Sequence, residues 1–221
     1  MKSFSTFITE GPNPRPQIRQ AMNDNGYRLL GAGLDVMIFK RPDESTLIKV
    51  VAPEDYDTGS IAALIRANEA WWKYCLKHAN NPHLMKFSRA RLPPIVVDGQ
   101  EFPQYRIENL EELSEAEHNL CLEMYRAITD YGYTFDEYVG RYYDDQINDR
   151  IQRKAHPRVI RALENNRERA RTLQSLFVTM QRVRDMGLSL GFEFTITIRP
   201  EQISMMKRKD DTLVITGSWD S

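Results

Sequence analysis

Apolar residues in the first half of the chain fall into short runs separated by turn residues, a pattern typical of β-strands. Five runs occur before residue 110, at positions 27–30, 36–40, 46–51, 92–97 and 103–107. Gly31-Ala32-Gly33 joins the first two runs, and Asp98-Gly99 lies between the last two. Because such short turns suit antiparallel hairpins, we predict a five-stranded antiparallel sheet.

Helical spacing interrupts this half once and dominates the rest of the chain. Between residues 58 and 79 the predicted buried stripe consists of Ile61, Leu64, Ile65, Asn68, Trp72, Cys75 and Leu76. Later helices are predicted at 113–130, within 135–154, at 159–165 and at 167–186. Gly187 suits the residue just past a helix C-terminus, and a hairpin of 203–206 with 213–216 follows. Strands followed by helices predict an α+β protein.

The order of these elements divides the chain into three parts. Prolines at positions 12, 14 and 16 predict an extended N-terminal arm over residues 1–24. Residues 25–110 should form a sheet-rich N-terminal lobe with one helix. Residues 111–221 should form a mostly helical C-terminal lobe that ends in a short hairpin.

Composition excludes several classes of function. The 221 residues suffice for one bilobal domain, and a formal charge of −1 gives no bulk attraction to nucleic acid or to an anionic membrane. No apolar run approaches the roughly 18 residues of a membrane span. Cys75 and Cys121 lie in apolar helical patterns, which predicts buried thiols in a reducing compartment. A cytoplasmic location is therefore expected.

The first hairpin carries a candidate phosphate-binding turn, Gly31-x-Gly33-x-x-Val36. Glycines there allow the backbone to approach a phosphate closely, although two glycines also make an ordinary hairpin turn. Lys49 interrupts the otherwise apolar strand that follows. Burial of an ammonium group is costly unless it meets an anion, whereas a lysine near a strand end can also reach water.

Three short motifs together resemble one protein family. Residues 27–33, 47–50 and 215–219 are similar to the small protein kinases carried early in the genomes of short-tailed bacteriophages. The resemblance covers about 25–221 and implies a bilobal protein-kinase-like fold, ATP as nucleotide and a bacterial host cytoplasm. It also implies that Lys49 holds nucleotide phosphates and pairs with a helix glutamate, here Glu69. The implied nucleotide-binding set is Gly31, Gly33, Val36, Lys49 and Glu69.

The chain departs from this family at three positions. Thr197 stands where the family has its base aspartate, Gln202 where it has a metal-binding asparagine, and Gly217 where it has a metal-binding aspartate. Threonine cannot take a proton at neutral pH, and glycine offers no side-chain ligand. We therefore expect no catalytic residue and no tight magnesium binding. A rescue would require Glu201, Asp211 or Asp220 to move into the site, and Glu201 and Asp220 lie within three residues of a substituted position.

These departures favour a catalytically degenerate, phage-encoded pseudokinase that binds a host or phage protein and retains ATP binding. An active atypical Ser/Thr kinase with relocated acidic residues is the first alternative. A small-molecule phosphotransferase of the aminoglycoside-kinase type needs the same loop aspartate and is weakened equally. A non-catalytic structural or adaptor protein is the remaining alternative. Neither a membrane nor nucleic acid is an expected partner.

Overall fold

A computed structural model describes residues 13–33, 35–53, 58–140, 167–189, 193–194, 205–217 and 219–220. The predicted α+β class is confirmed, with antiparallel sheets and helices in the described ranges. The chain divides into two compact units. The first consists mainly of Met1–Lys73 and Phe87–Glu108, and the second of Tyr74–Lys86 and Asn109–Asp220. No helix in the described ranges is both long and apolar enough to cross a membrane.

The main sheet of the first unit has four strands, not the predicted five. The described strands before residue 110 are β1 (Arg28–Ala32), β2 (Val36–Lys40), β3 (Leu47–Val51), β4 (Ile95–Val97), β5 (Gln100–Phe102) and β6 (Gln104–Ile107). The sheet has the order β1-β2-β3-β6, and every neighbouring pair is antiparallel.

The predicted fourth strand forms a separate hairpin, in which β4 pairs only with β5. Asp98 and Gly99 join these two strands with φ angles of 51° and 82°. Two consecutive left-handed residues make the tight turn that folds a strand directly back onto the next residues. This local pairing keeps residues 95–97 out of the main sheet.

The predicted extended arm is wrong over residues 15–24, which form helix α1 (Arg15–Asp24). Proline is tolerated in the first turn of a helix because the amide it lacks has no partner there, so Pro14 and Pro16 start the helix. Ile18 and Met22 are buried in a core with Met37, Phe39, Ile48, Val50 and Phe102. Residues 1–12 of the predicted arm lie outside the described part of the chain.

The predicted helix after β3 is present as α2 (Thr58–Lys77), but its buried stripe includes Trp71 rather than Trp72. Trp71 is fully buried, whereas Trp72 is half-buried and its indole N–H donates to the carbonyl of Ser88 at 3.3 Å. The buried positions advance by three and four residues, as Ile61, Leu64, Asn68, Trp71 and Cys75.

The second unit contains three helices within the described ranges: α3 (Glu115–Thr129), α4 (Phe135–Gly140) and α5 (Arg167–Ser189). Ser114 and Glu117 form a capping box that starts α3. The predicted inward face of α5 is confirmed, since it buries Leu173, Leu176, Phe177, Met180 and Val183. Gly187 lies inside α5, which continues to Ser189, and the predicted helix at 159–165 lies outside the described ranges.

Four short strands complete the second unit. They are β7 (Glu193–Phe194), β8 (Met205–Lys207), β9 (Leu213–Ile215) and β10 (Trp219–Asp220). The predicted terminal hairpin is the pair β8–β9, and β7 pairs with β10. Arg208 in the hairpin turn donates to the carbonyl groups of Pro82 and Leu84, and buried His83 bonds Leu213 through its ring Nδ1 at 2.9 Å. The hairpin is thereby fixed to the segment that follows α2.

A half-buried carboxylate in α3 is expected to make stability depend on pH. Burial raises the pKa of Glu123 to about 7, against the opposing effect of Arg126, and no described residue donates a hydrogen bond to its Oε2. Because the folded pKa exceeds the unfolded value near 4.5, the folded protein loses stability as pH rises from about 4.5 through about 7.

We expect Glu123→Gln to stabilise the protein at pH 8 and to have little effect at pH 4. Thermal unfolding at both pH values measures the difference. Glu115→Gln, on an exposed site of the same helix, is the control and should match the wild type at both pH values. An equal effect of Glu123→Gln at the two pH values would contradict the assignment.

Candidate functional site

Lys49 is a buried charge at the centre of the main sheet. All five residues of β3 are buried, and Lys49 is 6% exposed. Successive side chains of a strand point to opposite faces, and Ile48 and Val50 face the core that contains α1. Lys49 therefore projects from the other face, where its register neighbours are Ile38 and Tyr105. This confirms that an ammonium group lies within a buried strand.

Aromatic residues line the face from which Lys49 projects. The ring centroid of Tyr105 lies 6.1 Å from that of Trp72 and 6.0 Å from that of Phe87. Burial, together with the negative charge of Glu69, raises the pKa of Tyr105 to about 12. Tyr105 is therefore a neutral phenol near Glu69. Its contact with Trp72 shows that this part of α2 lies on the same face of the sheet as Lys49.

Glu69 forms ion pairs with residues other than Lys49. Its Oε1 lies 3.1 Å from Nζ of Lys73 and 2.8 Å from Nη2 of Arg91. The hydrogen bond from Lys73 and the charges of Lys73 and Arg91 lower the pKa of Glu69. The guanidinium of Arg91 also lies over the ring of Trp72, 5.6 Å from its centroid. Glu69 thus lies in α2, and its carboxylate contacts two exposed cations.

The two glycines of the turn differ: Gly31 has space beside it, whereas the backbone of Gly33 is hydrogen-bonded within the protein. Among the described residues, no heavy atom lies within 4 Å of a Cβ atom added to Gly31, so they leave space beside β1 at this position. The Gly33 N–H donates to the carbonyl of Val36 at 2.9 Å, and its own carbonyl accepts from Arg15. Val36 pairs with Val51 in the ladder between β2 and β3. The turn therefore has room for a ligand beside Gly31, while the backbone of Gly33 is used within the protein.

The predicted catalytic loop lies mostly outside the described ranges, which omit Thr197, Glu201 and Gln202. The strand before the loop, β7, is described and pairs with the last strand: Phe194 pairs with Trp219 of β10, and Glu193 pairs with Asp220. This pairing brings the chain just before the loop beside the chain just after Gly217.

Gly217 adopts a left-handed backbone conformation, with φ of 79°. Residues with a β-carbon adopt this region with strain, although aspartate and asparagine tolerate it better than others. The residue at this position thus has no ligand atom, and its backbone conformation favours the glycine that is present. Asp220, the proposed rescue residue, lies three positions later in β10.

Three residues that sequence reasoning did not select contribute to this region. Arg15 was assigned to an extended arm, and Arg91 lies in a polar tract without periodicity. Tyr105 had a detectable signal, because it alternates with polar residues in a predicted strand. In the part of the chain that is described, no group of three His, Cys, Asp or Glu side chains is arranged to hold a metal ion.

Comparisons of the chain with protein-family models, with curated proteins and with solved structures gave no match.

Proposed function

We propose that this chain is a kinase-like protein that has lost phosphoryl transfer and acts by binding a host or phage protein partner. The observation that carries the proposal is the pairing of β7 with β10, the two strands that flank the segment with Thr197, Gln202 and Gly217. This pairing brings residues 193–194 beside residues 219–220. A framework of this kind would bring a base and metal ligands close together, and this chain lacks the residues that would act as such.

Loss of these residues removes the main contributions to phosphoryl transfer. A positioned general base contributes about 10²–10⁴ in rate. Magnesium neutralises the charge that develops on the transferred group, and it binds preferentially to carboxylate and phosphate oxygens. Neither Thr197 nor Gly217 provides a carboxylate.

The ion pairs of Glu69 support the same proposal. An active protein kinase requires its strand lysine and helix glutamate to be paired. The Glu69 carboxylate instead contacts Lys73 and Arg91. An active kinase with relocated acids would need Glu201 or Asp220 to supply the carboxylate that Thr197 and Gly217 lack.

Nucleotide binding is proposed to survive at Lys49. Its ammonium group is buried on the face shared with Tyr105, and the turn beside Gly31 has free space. If the chain is instead a structural or adaptor protein, Lys49 should bind no nucleotide and should contribute only to the structure of the sheet.

A thermal-shift titration with ATP tests the nucleotide part of the proposal. At ten times its dissociation constant, a ligand specific for the folded state should raise the melting temperature by about 3–6 °C. Lys49→Met keeps an apolar stem in the strand and should abolish the shift. Lys40→Met, at the end of β2, should retain it. The absence of a shift in the wild type would favour the adaptor function instead.

A further inference from the structure

The guanidinium of Arg15, at the start of α1, bonds the backbone at two places in the sheet. Its Nε and Nη2 donate to the carbonyl oxygen of Ala52 at 2.9 and 2.7 Å. Nη2 also donates to the carbonyl oxygen of Gly33 at 2.5 Å. Gly33 lies in the turn between β1 and β2, and Ala52 directly follows β3. One side chain therefore connects the glycine turn to the end of the strand that carries Lys49.

The backbone bonds around Arg15 complete this connection. The Gly33 N–H donates to Val36, and the Ala52 N–H donates to the carbonyl of Asp35, each at 2.9 Å. Both polar backbone groups of Gly33 and of Ala52 are thus engaged. A guanidinium presents its N–H groups in a fixed planar fork, so it constrains the orientation of two carbonyls in a way that a single ammonium cannot.

The helix that carries Arg15, α1, is well packed against the sheet. Ile18 is fully buried and Met22 nearly so, one and two helical turns after Arg15, and both belong to the core beneath β2 and β3. A side chain on an element fixed by packing holds its contacts more closely than one on a free arm. The docking of α1 and the conformation of the glycine turn are consequently linked through Arg15.

We infer that Arg15 is a positioning residue for the glycine turn, through which the N-terminal helix sets the geometry of the proposed nucleotide site. The identity of the ligand rests on the proposed function, whereas the effect of Arg15 on the turn does not. Holding the turn in one conformation before a ligand arrives reduces the ordering cost of binding. Displacement of α1 by a partner would release the turn and weaken nucleotide binding.

Amide hydrogen exchange on the full chain tests this inference in the absence of any ligand. In Arg15→Ala, the amides of Gly33 and Ala52 should exchange about tenfold faster or more, because charge-assisted bonds to their backbone are lost. Arg15→Lys should give an intermediate increase. Arg19→Ala, on an exposed site of the same helix, should exchange as the wild type does. Amides of Phe39 and Val50 should stay unchanged in all three variants.

Two results would overturn the role of Arg15. One is wild-type exchange at Gly33 and Ala52 in Arg15→Ala. The other is an equal increase at Phe39 and Val50, which would mean only general destabilisation. ATP titration of the same variants should show an affinity about tenfold lower in Arg15→Ala and unchanged in Arg19→Ala. If the wild type does not bind ATP, the nucleotide part of the proposed function fails, while the exchange data still decide the role of Arg15.

Discussion

Replacement of Trp71 by alanine should lower the free energy of unfolding by about 3–5 kcal/mol, the usual cost of deleting a large buried aromatic side chain. Trp71 is completely buried in α2, so the variant loses the transfer free energy of the indole and leaves a cavity. Urea-induced unfolding, with the midpoint and slope fitted together, measures the change.

Trp72→Ala is the matched control, because Trp72 is the adjacent residue and carries the same side chain. It is half-buried and donates one hydrogen bond, so we expect a loss of about 1–2 kcal/mol. A larger loss for Trp72→Ala than for Trp71→Ala would mean that the helix buries the face predicted from the sequence. The structure would then have the wrong rotation of α2.

Ile18→Ala should lower the free energy of unfolding by about 2–4 kcal/mol. Ile18 is fully inaccessible to solvent and packs in the core with Met37, Phe39, Ile48 and Val50. This loss is expected only if α1 is an integral part of the first unit. An extended arm would lose less than about 0.5 kcal/mol from the same change.

Gln17→Ala provides the control for Ile18→Ala. Gln17 is exposed on the neighbouring position of α1, and alanine preserves the helix. We expect a change within about 0.5 kcal/mol of the wild type. Equal, small effects of the two variants in urea-induced unfolding would contradict the packing of α1 on the sheet.

Local patterns predicted which segments are strands and helices better than they predicted how those segments assemble. The short apolar runs gave the positions of β1, β2, β3 and β6 because alternation and turn residues are local signals. Membership of the main sheet depended on the left-handed backbone of Asp98 and Gly99, since those two angles direct β4 onto β5. The proline-rich start concealed α1 because prolines that begin a helix resemble prolines that prevent one.

The candidate site was predictable to the same limited extent. The burial of Lys49 followed from its apolar neighbours in the strand. The ion partners of Glu69 did not follow, because Arg91 lies 22 residues away and only the fold brings its guanidinium to the carboxylate. Helical spacing correctly placed four residues in the buried stripe of α2, Ile61, Leu64, Asn68 and Cys75, whereas the predicted Ile65 and Leu76 are only half-buried. At adjacent Trp71 and Trp72, two identical side chains leave the rotation of the helix undecided.

The proposed function requires that this chain transfers no phosphoryl group. The most direct measurement is incubation of the full chain with γ-radiolabelled ATP and magnesium or manganese, alone and with a bacterial lysate as acceptor. We expect no protein-dependent incorporation above the blank, because Thr197, Gln202 and Gly217 supply neither base nor metal carboxylate. Incorporation that Lys49→Met abolishes would contradict the claim, and its loss in Glu201→Gln or Asp220→Asn would identify the acid responsible.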